Sequence, residues 1–229
     1  MAFVSQYIFL ICLRLFYGAL SPQYFFGLKR FRQRYPGFSG NFKSCINNDV
    51  ILHFDKLCFR KKSLPVYETP DPVQFDGCFY GISFSQLKQL KGKPETASYE
   101  WIGEKLVKVF GYRDKILERG VKINFFFTDD QFFLGEFQFQ SYNKAVINSV
   151  REMLQAKYHF KAGTTESDFY ITDRTGSLVF FNDNGYRLNV QYYFPQLEAI
   201  DQCLKKAIKK SNLIREKEQV DENNLGNLL

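Results

Sequence analysis

The sequence predicts an α+β fold, an antiparallel β-sheet built from two βββα units with helices packed on one face. Three observations support this prediction. A phenylalanine-rich segment at 121–140 alternates apolar and polar residues, which is typical of half-buried strands. The segment Lys144–Tyr158 repeats apolar residues at helical spacing. Three strands followed by a helix are predicted at 99–158 and again at 168–210, and such units bury a helix against an antiparallel sheet.

The composition is that of a globular protein with an aromatic core. Of the 229 residues, 45% are hydrophobic and 24% are charged, which is ordinary for globular domains. Aromatic residues make up 18%, with 26 Phe and 14 Tyr but one Trp, and this excess favours a sheet-rich core. The formal charge of +7 is compatible with contact to nucleic acid or to an acidic lipid surface.

We divide the chain into four parts. They are an apolar N-terminal segment at 1–21, an irregular lead-in with short strands at 22–76, the α+β domain at 77–210 and a polar tail at 211–229. In the lead-in, Pro and Gly residues interrupt the apolar pattern, and short strands are predicted at 50–54 and 56–59. The tail lacks periodicity and is expected to fray.

The apolar segment at 1–21 has four interpretations, which the sequence leaves open. A secretory signal has a basic start and small residues before its cleavage site, whereas nothing basic precedes Arg14 here. A membrane anchor needs about 20 apolar residues, and Arg14 near the centre is unfavourable in a bilayer. The other two interpretations are a helix docked on the core and a mis-assigned start codon.

The segment at 121–140 is predicted to form the hairpin around which the fold is organised. Its first arm places Val121, Ile123, Phe125 and Phe127 on one face, and Lys122, Asn124 and Thr128 on the other. A polar turn at 128–131 suits Asp side chains, which bond locally to the backbone. The return arm places Phe133, Gly135, Phe137 and Phe139 on one face, with Glu136, Gln138 and Gln140 towards solvent. Gly135 predicts a bulge or a close neighbour.

The other elements of the domain are predicted from turns and periodicity. Strands are favoured at 99–102 and 106–112, although a helix also fits the apolar residues there. Beyond Lys144–Tyr158, strands are predicted at Asp168–Thr172, 177–182 and 186–194. Asn184 and Gly185 predict a tight type I′ turn between the last two strands. Pro195 is expected to begin a final helix.

A helix of about two turns is predicted after Ser83. Ser83 is the N-cap, and Gln86 three residues later completes a capping box. Gly92 supplies the left-handed position after the helix, and Pro94 prevents its continuation. The residues expected to point inward are Leu87 and Leu90.

The same stretch carries a resemblance to a known family. It rests on Gly81, Ser83, Gln86, Leu87, Gly92 and Pro94, followed by Tyr99 and Trp101. These residues resemble the motif of the SmpA/OmlA domain of small envelope lipoproteins, and the repeat of the β-lactamase inhibitor proteins is similar. The resemblance covers about residues 77–140 and implies a non-enzymatic, protein-binding domain of the cell envelope, with no site residues carried over. Unlike those lipoproteins, this chain has no small residues before Cys12.

No residue pattern points to catalysis or to a cofactor. The sequence has no Gly-rich phosphate loop, no HExxH and no G-x-S-x-G motif. His53 stands between apolar residues, and His159 follows a predicted helix end, where a cation is favoured. The five cysteines show no zinc spacing, and free thiols and disulfides both stay open. We therefore expect no catalytic residue, no metal and no cofactor.

Two functional hypotheses from different classes follow. The first is a non-catalytic domain that binds another protein at the cell envelope, since the N-terminus is apolar and the 81–94 pattern resembles an envelope domain. The second is a cytoplasmic nucleic-acid-binding protein. The candidate patch for contact with nucleic acid or an anionic membrane surface is Lys29, Arg30, Arg32, Arg34, Arg60, Lys61 and Lys62. Short charge runs of this kind also fit a solvated surface. An enzyme of unknown class is a third alternative.

Overall fold

The structure is a computed structural model that describes residues 2–34, 57, 64–102, 104–139, 143–161 and 167–195, together with 201, 202, 205, 206 and 209. Side chains are described in these ranges except at 2–7 and 32–34. The predicted strands at 50–54 and 56–59 and the tail at 211–229 lie outside the described residues, apart from Leu57.

The described residues form one sheet with helices around it. The helices are α1 (Ala2–Tyr17), α2 (Pro22–Arg34), α3 (Phe84–Lys91) and α4 (Lys144–Tyr158). The strands are β1 (Val66–Glu68), β2 (Thr96–Ile102), β3 (Lys105–Ile116), β4 (Arg119–Thr128), β5 (Gln131–Phe139), β6 (Asp168–Thr172), β7 (Leu178–Asp183) and β8 (Leu188–Tyr193). Their order in the sheet is β1-β6-β7-β8-β5-β4-β3-β2. β1 lies parallel to β6 and the other neighbours pair antiparallel, so the α+β class is confirmed.

The finer prediction of two βββα units is not confirmed. Four consecutive strands, β2 to β5, lie between α3 and α4, because 96–102 and 105–116 both pair along their length. After β8, the helical residues described are 201, 202, 205, 206 and 209, so most of the predicted final helix lies outside the description. The predictions for α3, α4 and β6 are confirmed, and the region at 96–112 is strand rather than helix.

A β-bulge in the central hairpin changes which residues face the core. Phe126 pairs with Leu134, whereas Phe127 pairs with Phe132, so Phe133 is the extra residue on β5. Phe132 consequently shares a face with Phe125 and Phe127, and Phe133 packs on the opposite face. The predicted face of Phe133 is therefore wrong.

The first face of the sheet carries the larger core. Phe75 lies at its centre, with ring centroids 5.0 Å from Phe125 and 4.7 Å from Phe137. Helices cover this face through Phe25 of α2, Leu87 of α3, and Ile147, Val150, Leu154 and Tyr158 of α4. Val73 and Phe75 belong to the same cluster, so residues before position 77 contribute to this core.

The second face of the sheet is also covered. Its buried apolar residues include Phe126, Phe133, Tyr170, Phe180 and Tyr193. Leu57, which is a helical residue, belongs to this cluster. The hydroxyl group of Tyr193 donates a hydrogen bond at 2.8 Å to the carboxylate of Asp201, which is also a helical residue. Helical residues thus pack on both faces, and the prediction of helices on one face is wrong. The reason is that the second face also carries large apolar side chains, which have to leave water.

Residues 22–34 form helix α2, within the segment predicted to be irregular. Ser21 caps the helix by accepting a hydrogen bond from the backbone N–H of Tyr24 at 3.1 Å, and Pro22 occupies the first helical position, which it favours. Phe25, Leu28 and Phe31 then recur at a spacing of three and are buried. These signals are local features of the sequence, and the prediction of an irregular segment at 22–34 is therefore wrong.

Candidate functional site

The N-terminal hairpin of α1 and α2 is the part of the fold that gives rise to a distinctive surface. Gly18, with φ of +82°, follows α1, and its N–H donates to the Arg14 carbonyl at 2.9 Å. The helices pack together through a small apolar cluster formed by Leu10, Leu13, Tyr24, Leu28 and Phe31. Gly27 lies where they approach most closely, since a Cβ there would stand 2.7 Å from Leu13 Cδ1.

Helix α2 attaches this hairpin to the edge strand β2. The ring of Phe25 packs edge-on against Tyr99 with centroids 5.5 Å apart, and the Tyr99 hydroxyl donates to the Leu20 carbonyl. Burial raises the pKa of Tyr99 to about 12, so the hydroxyl remains a donor at physiological pH. Lys29 Nζ lies 2.9 Å from Glu100 Oε2. α2 therefore lies between the sheet and α1.

The outer side of α1 is an exposed apolar surface, which we call the α1 stripe. It consists of Ile8, Ile11, Cys12, Leu15 and Phe16, which recur at i, i+3, i+4, i+7 and i+8 and so share one helix face. Leu15 is 78% exposed and Phe16 83% exposed, whereas Leu10 on the opposite side is buried against α2. Helix α1 is therefore apolar on both sides, and the described residues cover one of them.

The structure describes part of the predicted basic patch. The charge of Lys29 is paired with that of Glu100 in a salt bridge, and the side chain of Arg30 is exposed. Arg32 and Arg34 belong to α2, but their side chains are outside the description. Three further members also lie outside the described residues: Arg60, Lys61 and Lys62. Contact of this patch with nucleic acid or an anionic membrane surface stays a prediction.

A buried polar network crosses the second face of the sheet. The carboxyl group of Glu136, which is 1% exposed, accepts hydrogen bonds from Asn124 Nδ2 at 3.0 Å and Gln191 Nε2 at 3.2 Å. The three residues are direct neighbours on β4, β5 and β8. The prediction that Asn124 and Glu136 face solvent is wrong, because this face is covered. Both carboxyl oxygens have an amide donor, so the network favours one strand register.

The tyrosine and cysteine side chains of the first core have raised pKa values and are neutral at physiological pH. Burial raises the pKa of Tyr158 to about 12 and also raises the pKa of Tyr192 and of Tyr80. The Cys78 thiol is free, and its pKa is raised mainly by burial. A raised pKa is the opposite of what activates a cysteine nucleophile, so these groups have the properties of core residues.

The comparisons with known proteins give no relative. No family model matches the chain, and no curated protein or solved structure is significantly similar to it. The resemblance to the envelope-lipoprotein domain therefore stays a prediction. The fold of the described residues defines a class, an α+β protein whose sheet of eight described strands is mainly antiparallel.

Among the described residues, the structure shows neither a metal-binding cluster nor a membrane-spanning helix. No group of three or more His, Cys, Asp or Glu side chains there is arranged to hold a metal ion. No helix in that part of the chain has the length and apolar character to cross a membrane.

Proposed function

We propose that this protein is a peripheral membrane protein, whose α1 stripe lies in the interface of a bilayer. The α+β domain would then be held at that surface as a non-catalytic module that binds another protein. One observation supports the attachment above all others: a continuous apolar helix face is exposed while the other side of the same helix packs on α2. Helices that lie in a membrane interface present such a face to the acyl chains.

The size of the stripe fits reversible attachment. Complete burial of a large apolar side chain gives about 1.5–3 kcal/mol. Four large residues of the stripe are exposed over 45–83% of their surface, namely Ile8, Ile11, Leu15 and Phe16. Their insertion would give on the order of 5 kcal/mol, which is similar to the weak binding of a single myristoyl chain. Stable attachment therefore needs a second attraction.

Exposed arginines of the same hairpin supply that attraction. Arg14 on α1 and Arg30 on α2 are both exposed, and each basic residue near an anionic bilayer contributes about 1 kcal/mol. The two terms together predict binding to anionic vesicles that is stronger than binding to zwitterionic vesicles. They also predict that salt weakens the difference, because exposed charges are screened.

Vesicle sedimentation with a matched pair of variants tests the attachment. Leu15 and Leu90 are both exposed leucines on helices, at 78% and 63%, but only Leu15 belongs to the stripe. Leu15→Glu should reduce binding to vesicles containing phosphatidylglycerol by more than about tenfold, since it removes apolar insertion and adds a like charge. Leu90→Glu should leave binding unchanged.

Two outcomes would overturn the attachment. One is that the wild-type protein fails to sediment with either kind of vesicle at low salt. The other is that the wild-type protein is a dimer that Leu15→Glu converts to a monomer, since the stripe would then contact a second copy of the chain.

The protein-binding role and the cell-envelope location rest on the resemblance at residues 77–140. Cell fractionation tests the location. Recovery of the full-length protein entirely in the soluble cytoplasm would contradict it.

A further inference from the structure

A groove lies between the N-terminal hairpin and the edge of the sheet. Its volume is about 1120 Å³, slightly above the roughly 300–1,000 Å³ that is usual for small-molecule sites. It is lined by α1, α2 and β2, chiefly by Phe9, Leu13, Phe26, Phe31, Arg30 and Trp101. Phe9 lies one heptad before Phe16, so the groove is adjacent to the α1 stripe.

The groove combines apolar walls with a cation. Lys29 also lines it, but this ammonium group is 2.9 Å from Glu100. The exposed guanidinium of Arg30 is therefore the group available to an anionic ligand, and its planar fork matches the oxygens of a phosphate. Trp101 is 56% exposed, and its indole is a group that favours the boundary between membrane and water.

We infer that the groove binds an anionic phospholipid, with an acyl chain against Phe9, Leu13 and Phe26 and the phosphate at Arg30. The apolar lining matches the chain, and the charge of Arg30 matches the headgroup. The inference rests on the proposed function, because the lipid comes from the bilayer that the α1 stripe contacts. It adds a specific site for one lipid class to an otherwise non-specific attachment.

Trp101 provides a direct probe of the groove, because it is the only tryptophan of the chain. The full-length protein is titrated with dihexanoyl phosphatidylglycerol below its micelle concentration. A saturable blue shift of the tryptophan emission is expected, and a brominated acyl chain should quench it. Dihexanoyl phosphatidylcholine should bind at least several-fold more weakly, because it lacks net negative charge.

Two arginine variants form a matched pair. Arg30→Gln removes a charge from the groove, and Arg14→Gln removes a charge from the same hairpin outside it. Arg30→Gln should weaken binding of the short-chain phosphatidylglycerol about tenfold, the effect expected from losing a hydrogen bond to a charged group. Arg14→Gln should leave binding of the monomeric short-chain lipid unchanged, because Arg14 does not line the groove. Circular dichroism before the titration establishes that both variants are folded.

The α1 stripe variant separates this inference from the proposed attachment. Leu15→Glu should lose vesicle binding yet keep the response of Trp101 to monomeric phosphatidylglycerol. If the wild-type protein binds vesicles but monomeric lipid leaves Trp101 unchanged, the groove inference is wrong and the attachment stands. Equal effects of the two arginine variants would also overturn it. So would an equal shift with inorganic phosphate or an oligonucleotide, since neither has an acyl chain.

Discussion

The ring of Phe75 lies directly against the Cα atom of Gly135. Phe75 precedes helix α3 in the chain and is completely buried, whereas Gly135 is in the middle of β5. A Cβ at position 135 would overlap the ring of Phe75. Glycine at this position therefore allows the segment before α3 to enter the core of the sheet.

We expect Gly135→Ala to lower the free energy of unfolding by about 1–3 kcal/mol, the usual cost of overpacking a core. Urea denaturation measures the change. Gly120 is the control, because it lies in the neighbouring strand β4 and no heavy atom stands within 4 Å of a Cβ there. Gly120→Ala should change stability by less than about 0.5 kcal/mol. Similar losses in the two variants would contradict the packing of Phe75.

The buried network on the second face gives another pair of variants. Glu136→Leu removes the acceptor of the Asn124 and Gln191 amides, and a buried donor without its partner costs about 1–3 kcal/mol. Gln138→Leu, two residues along the same face and half-buried, should cost less than about 0.5 kcal/mol. Chemical denaturation compares them, and a Glu136→Leu protein as stable as the wild type would show that the network adds no stability.

The capping box of α3 should contribute measurably to stability. The Ser83 hydroxyl accepts from the Gln86 backbone N–H at 3.2 Å, and the Gln86 side chain accepts from the Ser83 N–H at 2.8 Å. Ser83→Ala should cost about 0.5–2 kcal/mol, as loss of an N-cap usually does. Ser85→Ala is the control, because Ser85 is exposed within the helix. Thermal unfolding of both variants checks the difference.

Alkaline pH should destabilise the protein through its buried tyrosines. Burial raises the pKa of Tyr99 and of Tyr158 to about 12 in the folded state, whereas an unfolded tyrosine titrates near about 10. Between these values the unfolded state releases protons and the folded state keeps them, so stability falls as pH rises. Each tyrosine should contribute a loss of roughly 1 kcal/mol at about pH 11.

Replacing a buried tyrosine tests this explanation. Tyr158→Phe should make stability fall less steeply between about pH 10 and pH 12, as followed by urea denaturation at each pH. Tyr186→Phe serves as the comparison, because Tyr186 is 83% exposed. A slope that Tyr158→Phe leaves unchanged would assign the alkaline sensitivity to other groups.

The features that were predicted correctly are those that depend on residues close together in the sequence. The bounds of α3 follow from a capping box and a glycine with φ of +78°, and those of α4 from a clear apolar period. The organising hairpin also follows from local pattern, including its turn at Asp129 and Asp130. These features depend on residues a few positions apart, so one sequence is sufficient to find them.

Features that depend on distant partners were not predictable. Phe132, Phe133 and Leu134 are all apolar, so alternation cannot show which of them is the bulge. Asn124 and Glu136 look solvent-exposed until Gln191 and the covered second face are known. Leu90 was expected inside, but it is exposed at the end of α3.

In the candidate site too, local features were predictable from the sequence and features that depend on distant partners were not. Sequence alone identified the apolar N-terminus and the basic residues after it. Which side of α1 is exposed depends on α2, and the packing of α2 on β2 is a long-range contact that local sequence patterns do not reveal. The turn predicted at Asn184 and Gly185 was also wrong in type, because Asn184 accepts from the N–H groups of Tyr186 and Arg187 in a longer loop.

The position of β8 between β5 and β7 has a consequence for biosynthesis. On the ribosome, β2 to β5 emerge before β8 and can pair as a meander, but β5 then has a free edge until β8 is made. Synthesis of α4, β6, β7 and β8 takes roughly several seconds at usual elongation rates. During that time an edge rich in phenylalanine is open to pairing with other chains. From the order of the strands we expect the nascent chain to be most prone to association with other chains before β8 is made.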